Sequence, residues 1–154
     1  AGQYASEMGL GVAANYTYTQ SQSVIATSFS DHLPIPDVAA HAATATVFYA
    51  NYGLDARLSY SWRSKAVNDG LGGSIFSPID TTNGGAPKDF GVYTAPYGEL
   101  DAQVSYDISE QFSVSVSAQN LTDEASHTYL QFPNMPFTYD NSGTRYFFGV
   151  RAKL

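Results

Sequence analysis

Leu54-Asp55-Ala56-Arg57-Leu58-Ser59-Tyr60-Ser61-Trp62-Arg63 decides the fold. Its even positions are Leu, Ala, Leu, Tyr and Trp, and its odd positions are Asp, Arg, Ser, Ser and Arg. Such a period of two makes a strand with one apolar and one polar face. Upstream, across a short Ala50-Asn51-Tyr52-Gly53 turn, the pattern repeats over 41–49. There Ala43, Ala45, Val47 and Tyr49 alternate with Ala42, Thr44, Thr46 and Phe48, the last on the polar side. Over 8–18, Met8, Leu10, Val12, Ala14, Tyr16 and Tyr18 alternate with Gly9, Gly11, Ala13, Asn15 and Thr17.

Downstream the same period covers 99–108, with Leu100, Ala102, Val104, Tyr106 and Ile108 on one side and Glu99, Asp101, Gln103, Ser105 and Asp107 on the other. After a tight Ser109-Glu110-Gln111 turn it covers 112–119, with Phe112, Val114, Val116 and Ala118 against Ser113, Ser115, Ser117 and Gln119. It ends over 145–154, with Tyr146, Phe148, Val150, Ala152 and Leu154 against Arg145, Phe147, Gly149, Arg151 and Lys153.

Six strands of roughly nine to eleven residues exceed the globular mean of about five or six. They match the length a tilted strand needs to cross a bilayer. The connections alternate between long (about 21–40, 64–97, 121–143) and short (50–53, 109–111), the up-and-down pattern of an outer-membrane barrel. A soluble sandwich shows less regular lengths. The polar faces carry Ser, Thr, Gln, Asn, Gly and scattered charges, as the inside of a barrel does. Aromatics near the strand ends suit interfacial girdles.

Composition agrees. The 154 residues hold 12 Tyr, 9 Phe, no Cys, and 7 Lys+Arg against 14 Asp+Glu, for a net charge of −7. The acidic excess argues against nucleic acid, because little is available to neutralise phosphates. The lack of Cys excludes a disulfide scaffold, a thiolate metal site and a Cys nucleophile. No apolar run is long enough for a transmembrane helix. Six strands cannot close, since the smallest such barrels have eight, and open edges are not tolerated in lipid. The start, Ala1-Gly2-Gln3-Tyr4, has neither Met nor a signal sequence. The expectation is therefore a segment of a longer chain.

Several stretches carry a resemblance: Gly9-Leu10-Gly11 with Asn15-Tyr16-Thr17-Tyr18-Thr19-Gln20-Ser21; Leu33-Pro34; Tyr49 and Gly53 around a short turn; Arg57-Leu58-Ser59-Tyr60-Ser61-Trp62-Arg63-Ser64; and Leu100-Asp101. The most telling is Asn120-Leu121-Thr122-Asp123. Gly143-Thr144-Arg145-Tyr146 and Gly149-Val150-Arg151-Ala152-Lys153-Leu154 complete the series. In this order they resemble the C-terminal part of a TonB-dependent outer-membrane receptor. One departure is Leu154, where Phe is most usual. The plug domain, the TonB-contacting segment and the earlier strands have no counterpart here.

The resemblance implies that 1–154 is the C-terminal part of the barrel domain, the last six strands of an antiparallel up-and-down, all-β transmembrane barrel of 22 strands. It implies an outer-membrane location in a Gram-negative bacterium and TonB-coupled uptake of a scarce nutrient: a ferric siderophore, an oligosaccharide, haem or cobalamin. The implied partners are outer-membrane lipid, the plug and remaining strands, TonB through the plug, and the barrel-assembly machinery. Tyr146, Phe148, Val150, Ala152 and Leu154 would form the assembly signal. No cofactor, resident metal or catalytic residue is implied.

If the C-terminus faces the periplasm, the long connections face outward, and long loops are commonly functional. Phe76, Phe90 and Tyr93 lie in the longest, and His127, Tyr129 and Phe132 in the third. Aromatics with few charges suit stacking on sugar rings or a flat chelate, and equally suit packing of loop on loop. Arg63 and Glu99, nearest the outer rim on the polar face, complete the candidate ligand set; ion pairing within the lumen is the plainer role for such residues. His32 and His127 alone do not make a metal site. The sequons at Asn15 and Asn120 fall in or beside strands and read as chance matches.

No Ser-His-Asp arrangement or phosphate-cradling Gly loop is present, so no enzyme is expected. Two other readings stand beside the transporter: a short chain whose copies assemble into one barrel, and a secreted carbohydrate-binding β-sandwich.

Overall fold

The computed structural model describes residues 2–5, 8–22, 34–68, 91–130 and 132–153. Among them every regular element is a strand: β1 (Gly2–Ala5), β2 (Leu10–Tyr18), β3 (His41–Asn51), β4 (Leu54–Arg63), β5 (Ala66–Val67), β6 (Val92–Thr94), β7 (Tyr97–Asp107), β8 (Phe112–Gln119), β9 (Ser126–Leu130), β10 (Pro136–Asp140) and β11 (Arg145–Ala152). The long strands form one antiparallel sheet, in the order β1-β2-β3-β4-β7-β8-β11. Consecutive neighbours and alternating connection lengths make it the meander that the sequence pattern predicts.

Register gives the sheet two unlike faces. One row runs Val12–Val47–Leu58–Ala102–Ala118–Tyr146 across six strands. One residue along, Ala13, Thr46, Ser59 and Asp101 form the opposing row, and the Thr46 and Ser59 hydroxyls lie 2.8 Å apart. A slip of one residue would exchange the faces, so the pattern specifies the pairing. Phe48 is indeed on the polar side, opposite Gly11 and Arg57.

Among the described residues nothing packs against the apolar face. Leu58, Val104 and Val116 lie mid-strand and are each about 45% exposed (45%, 44% and 44%), and Phe148 reaches 80%. In water such a continuous patch would drive aggregation; in a bilayer it is satisfied. Strands of 8 to 11 residues at about 3.3 Å per residue, tilted by about 40°, stand roughly 20–28 Å high, which matches the apolar band of such walls.

The short turns share one end with the C-terminus. Tyr52 and Gly53 both have positive φ (53° and 74°), the requirement of a two-residue type I′ hairpin. Lys153 N donates to Gln111 O at 2.8 Å. The long connections leave from the other end.

Two findings go beyond the sequence pattern. β1 adds a seventh strand at the β2 edge, too short to show a period. The connections expected as loops over 64–97 and 121–143 contain strands that form a second sheet, β10-β9-β6-β5. This loop sheet prolongs the wall. β5 follows β4, β6 precedes β7, β9 follows β8 and β10 precedes β11, so their lateral order is preserved. Among the described residues it also holds most of the buried apolar ones: Ala66, Val67, Val92, Tyr129 and Leu130, with Ala95 beside β6.

Candidate functional site

At the loop end of the polar face, β4 and β7 bring Arg63 opposite Tyr97. The Arg63 guanidinium lies over the Tyr97 ring, 5.8 Å from its centroid, close enough for attraction to the π face. The Tyr97 hydroxyl donates to Glu99 Oε2 at 3.1 Å. One step further out, the Lys65 ammonium is 5.6 Å from the Tyr93 ring centroid. The strand pair β4–β7 and its prolongation β5–β6 thus carry two cation–aromatic steps, one above the other.

Tyr93 begins an aromatic row. It pairs with Tyr129 across β6 and β9, and the rings stack with centroids 5.6 Å apart and planes 19° apart. Val67 flanks Tyr93 on the other side. His127 lies on the same face of β9 as Tyr129 and stacks on Tyr139 of β10 at 6.4 Å and 26°. The opposite face carries Thr94, Thr128 and Thr138 in one row, with the Thr128 and Thr138 hydroxyls 2.6 Å apart. Burial raises the Tyr129 phenol above its ordinary pKa, and the neighbouring Tyr93 adds to the shift, so the neutral form is favoured.

Asn120 lies at the junction of wall and loop sheet. It is 1% exposed and has φ +53°, a conformation Asn tolerates better than most residues. Its backbone N donates to Asp101 Oδ1 (3.0 Å), and its side-chain amide both donates to Glu124 O (2.9 Å) and accepts from Glu124 N (2.9 Å). Its carbonyl accepts from Thr144 Oγ1 at 2.8 Å and from Asp123 N at 3.0 Å. One residue thereby ties the exit of β8 to β7, to its own turn and to the approach of β11.

Of the candidate ligand residues, Arg63 and Glu99 meet at the rim through Tyr97, and Tyr93, Tyr129 and His127 share one face of the loop sheet. Phe132 sits apart and exposed in the turn from β9 to β10. Phe76 and Phe90 lie outside the described residues. Tyr146, Phe148 and Val150 are exposed on the apolar face of β11, an edge strand among the described residues, with Ala152 beside them; Leu154 lies outside the described residues. Tyr97, Lys65 and Asn120 were missed. The shared parity of Arg63 with Lys65 and of Tyr93 with Tyr97 was the available signal for the first two. Asn120 was noticed as a motif without its role. Among the described residues no group of three or more His, Asp or Glu is placed to hold a metal ion.

A sheet with an apolar outer face, a polar inner face, short turns at one end and strand-prolonged loops at the other is the wall of a transmembrane β-barrel. The profile of the family described as TonB dependent receptor-like, beta-barrel, matches residues 1–121. The chain belongs to that family, which is an outer-membrane family of transport receptors. Comparison with curated proteins and with solved structures found no match.

Proposed function

We propose that this chain forms part of the wall and outer vestibule of an active transporter that takes up a scarce, ring-bearing nutrient with energy relayed through TonB. Arg63, Tyr93, Glu99 and His127, with Tyr97 and Lys65, line its approach, and Tyr129, itself buried, supports the Tyr93 ring by stacking on it. The observation that carries the reading is the stacked Tyr93–Tyr129 row rising above the Arg63–Tyr97–Glu99 rim. Aromatic faces offer apolar area with little conformational entropy to lose. A ferric siderophore or an oligosaccharide fits that surface better than a small inorganic ion does.

The rest of the barrel, with a plug in its lumen, completes the assembly. The edges β1 and β11 are unpaired among the described residues, and backbone groups need partners in lipid. At the turn end of the polar face a cavity of about 650 Å³, lined by Asp107, Glu110, Arg151 and Lys153 among others, offers both signs of charge to a plug. Tyr146, Phe148 and Val150, exposed on β11, would be the contact with the assembly machinery.

Two measurements test this. The denatured mass of the intact polypeptide should be several times the 16.6 kDa of this chain; a mass near that value would favour assembly from several copies. Ligand uptake by cells carrying the intact receptor should require TonB and fall in Tyr93→Ala, with outer-membrane yield unchanged. Uptake at the wild-type rate in that variant would remove the aromatic row from the ligand path.

A further inference from the structure

The apolar face of the wall is not uniform. Near its loop end a groove of about 530 Å³ lies over β3. Its floor is Ala14, Ala43 and Ala45, and its sides are Tyr16 on β2 and Tyr60 and Trp62 on β4. Register explains the shape: Ala43 lies between Tyr16 and Trp62, and Ala45 between Ala14 and Tyr60. Below, the row Val12–Val47–Leu58 closes it.

On each side one wall residue is placed by a neighbour. Tyr16 leans toward the rim, its hydroxyl 2.7 Å from His41 Nδ1. Tyr60 lies in a notch at Gly98 on the far side of β4, where its Cζ would stand 2.9 Å from any Cβ and its hydroxyl would collide with it. A side chain at position 98 would push the end of the Tyr60 ring off this strand, so glycine is what lets the ring lie there. The groove ends upward in polar groups: the Tyr16–His41 pair, with the Tyr18 ring tilted against His41 at 5.2 Å.

We propose that this groove is a specific binding site for one membrane lipid of the outer leaflet, with an acyl chain on the alanine floor and the headgroup at His41. The inference rests on the family's outer-membrane location and is independent of which nutrient is carried. The groove interrupts a face that meets bilayer over its whole extent, so lipid is the occupant its position supplies. An apolar cavity of about 150 Å³ already holds a benzene ring, so the space admits a chain segment. Aromatic walls, one hydrogen-bonded to His41 and one seated over Gly98, lower the cost of ordering such a chain. The polar end at the outer rim gives the chain a direction.

Native mass spectrometry of the intact receptor, extracted from outer membranes in mild detergent, tests the proposal. The wild type should retain one more lipid adduct than Ala45→Phe, which fills the floor, and Gly98→Ala, which displaces Tyr60, should lose the same adduct. Equal adducts in all three proteins, only detergent on the wild type, or a protein partner lost with the variants would each overturn it. A second measurement needs no refolded floor variant. The receptor is reconstituted with lipid brominated on the acyl chain and re-extracted, and Trp62 emission is taken as the difference between wild type and Trp62→Phe. A retained chain keeps Trp62 quenched after extraction; full recovery of emission overturns the proposal.

Discussion

The wall and the loop sheet are both antiparallel, yet they handle apolar side chains in opposite ways. The wall has strands of 8 to 11 residues, apart from the short β1, and leaves Leu58, Val104, Val116 and Val150 uncovered. The loop sheet has strands of 2 to 5 residues and buries Val67, Val92, Tyr129 and Leu130 to within 7% exposure. The difference lies in the solvent. Lipid covers a wall's outer face at no packing cost, so long amphipathic strands suffice. Strands beyond the bilayer meet water, and they stay together only by building a core of their own.

The comparison breaks most visibly under truncation. Leu130→Ala should cost about 2–5 kcal/mol, the range for a buried leucine that leaves a cavity. Hydrogen exchange should report it as lost protection across β6 and β9. The same truncation at Leu58 should change stability little, because lipid fills the space. Equal effects at the two sites would mean that something in the protein covers the wall.

Charge sharpens the same contrast. Leu58→Arg should destabilise the folded wall by about 2–4 kcal/mol, the penalty near a bilayer midplane, and lower outer-membrane yield. Ser59→Arg, one residue along and facing Asp101, should insert normally. Equal loss of yield from both would contradict the assignment of faces.

The junction comes next. Asn120→Ala removes both side-chain hydrogen bonds to the Glu124 backbone, at about 1–3 kcal/mol for the pair. Because Asn120 joins the two regions, the loss should appear as loosening of β9 and β10 while β4 and β7 keep their exchange protection.

The smallest effect is alkaline. The Tyr129 phenol is held above its ordinary value of 10.0 by burial, with Tyr93 adding to the shift. The unfolded state then gives up its proton first. The neutral phenol's contribution to stability is whole below about pH 10 and is lost as pH rises through the raised value. Protection of β6 and β9 should fall above pH 10 in the wild type, and this fall should weaken in Tyr129→Phe.

The wall was readable from sequence because alternation is a local record of a two-faced environment. Leu54 to Arg63 repeats it enough to define both faces, and six such stretches with alternating connection lengths give the meander. Of the candidate site, the aromatic character of Tyr93, His127 and Tyr129 was visible. Their sharing one face was not, since β6 has three residues and β9 five, with apolar groups on both faces.

By itself, then, the sequence determined the strand faces, the pairing order and the membrane-facing side, all set by a period that each strand carries alone. Tertiary structure decided that the long connections prolong the wall as a second sheet, that Tyr93 stacks on Tyr129, that Asn120 ties β8 to β7 and to the approach of β11, and that Gly98 gives Tyr60 its place. Each of these joins residues from different strands, many positions apart in the chain. Such contacts exist only once the register of the wall has brought their strands side by side.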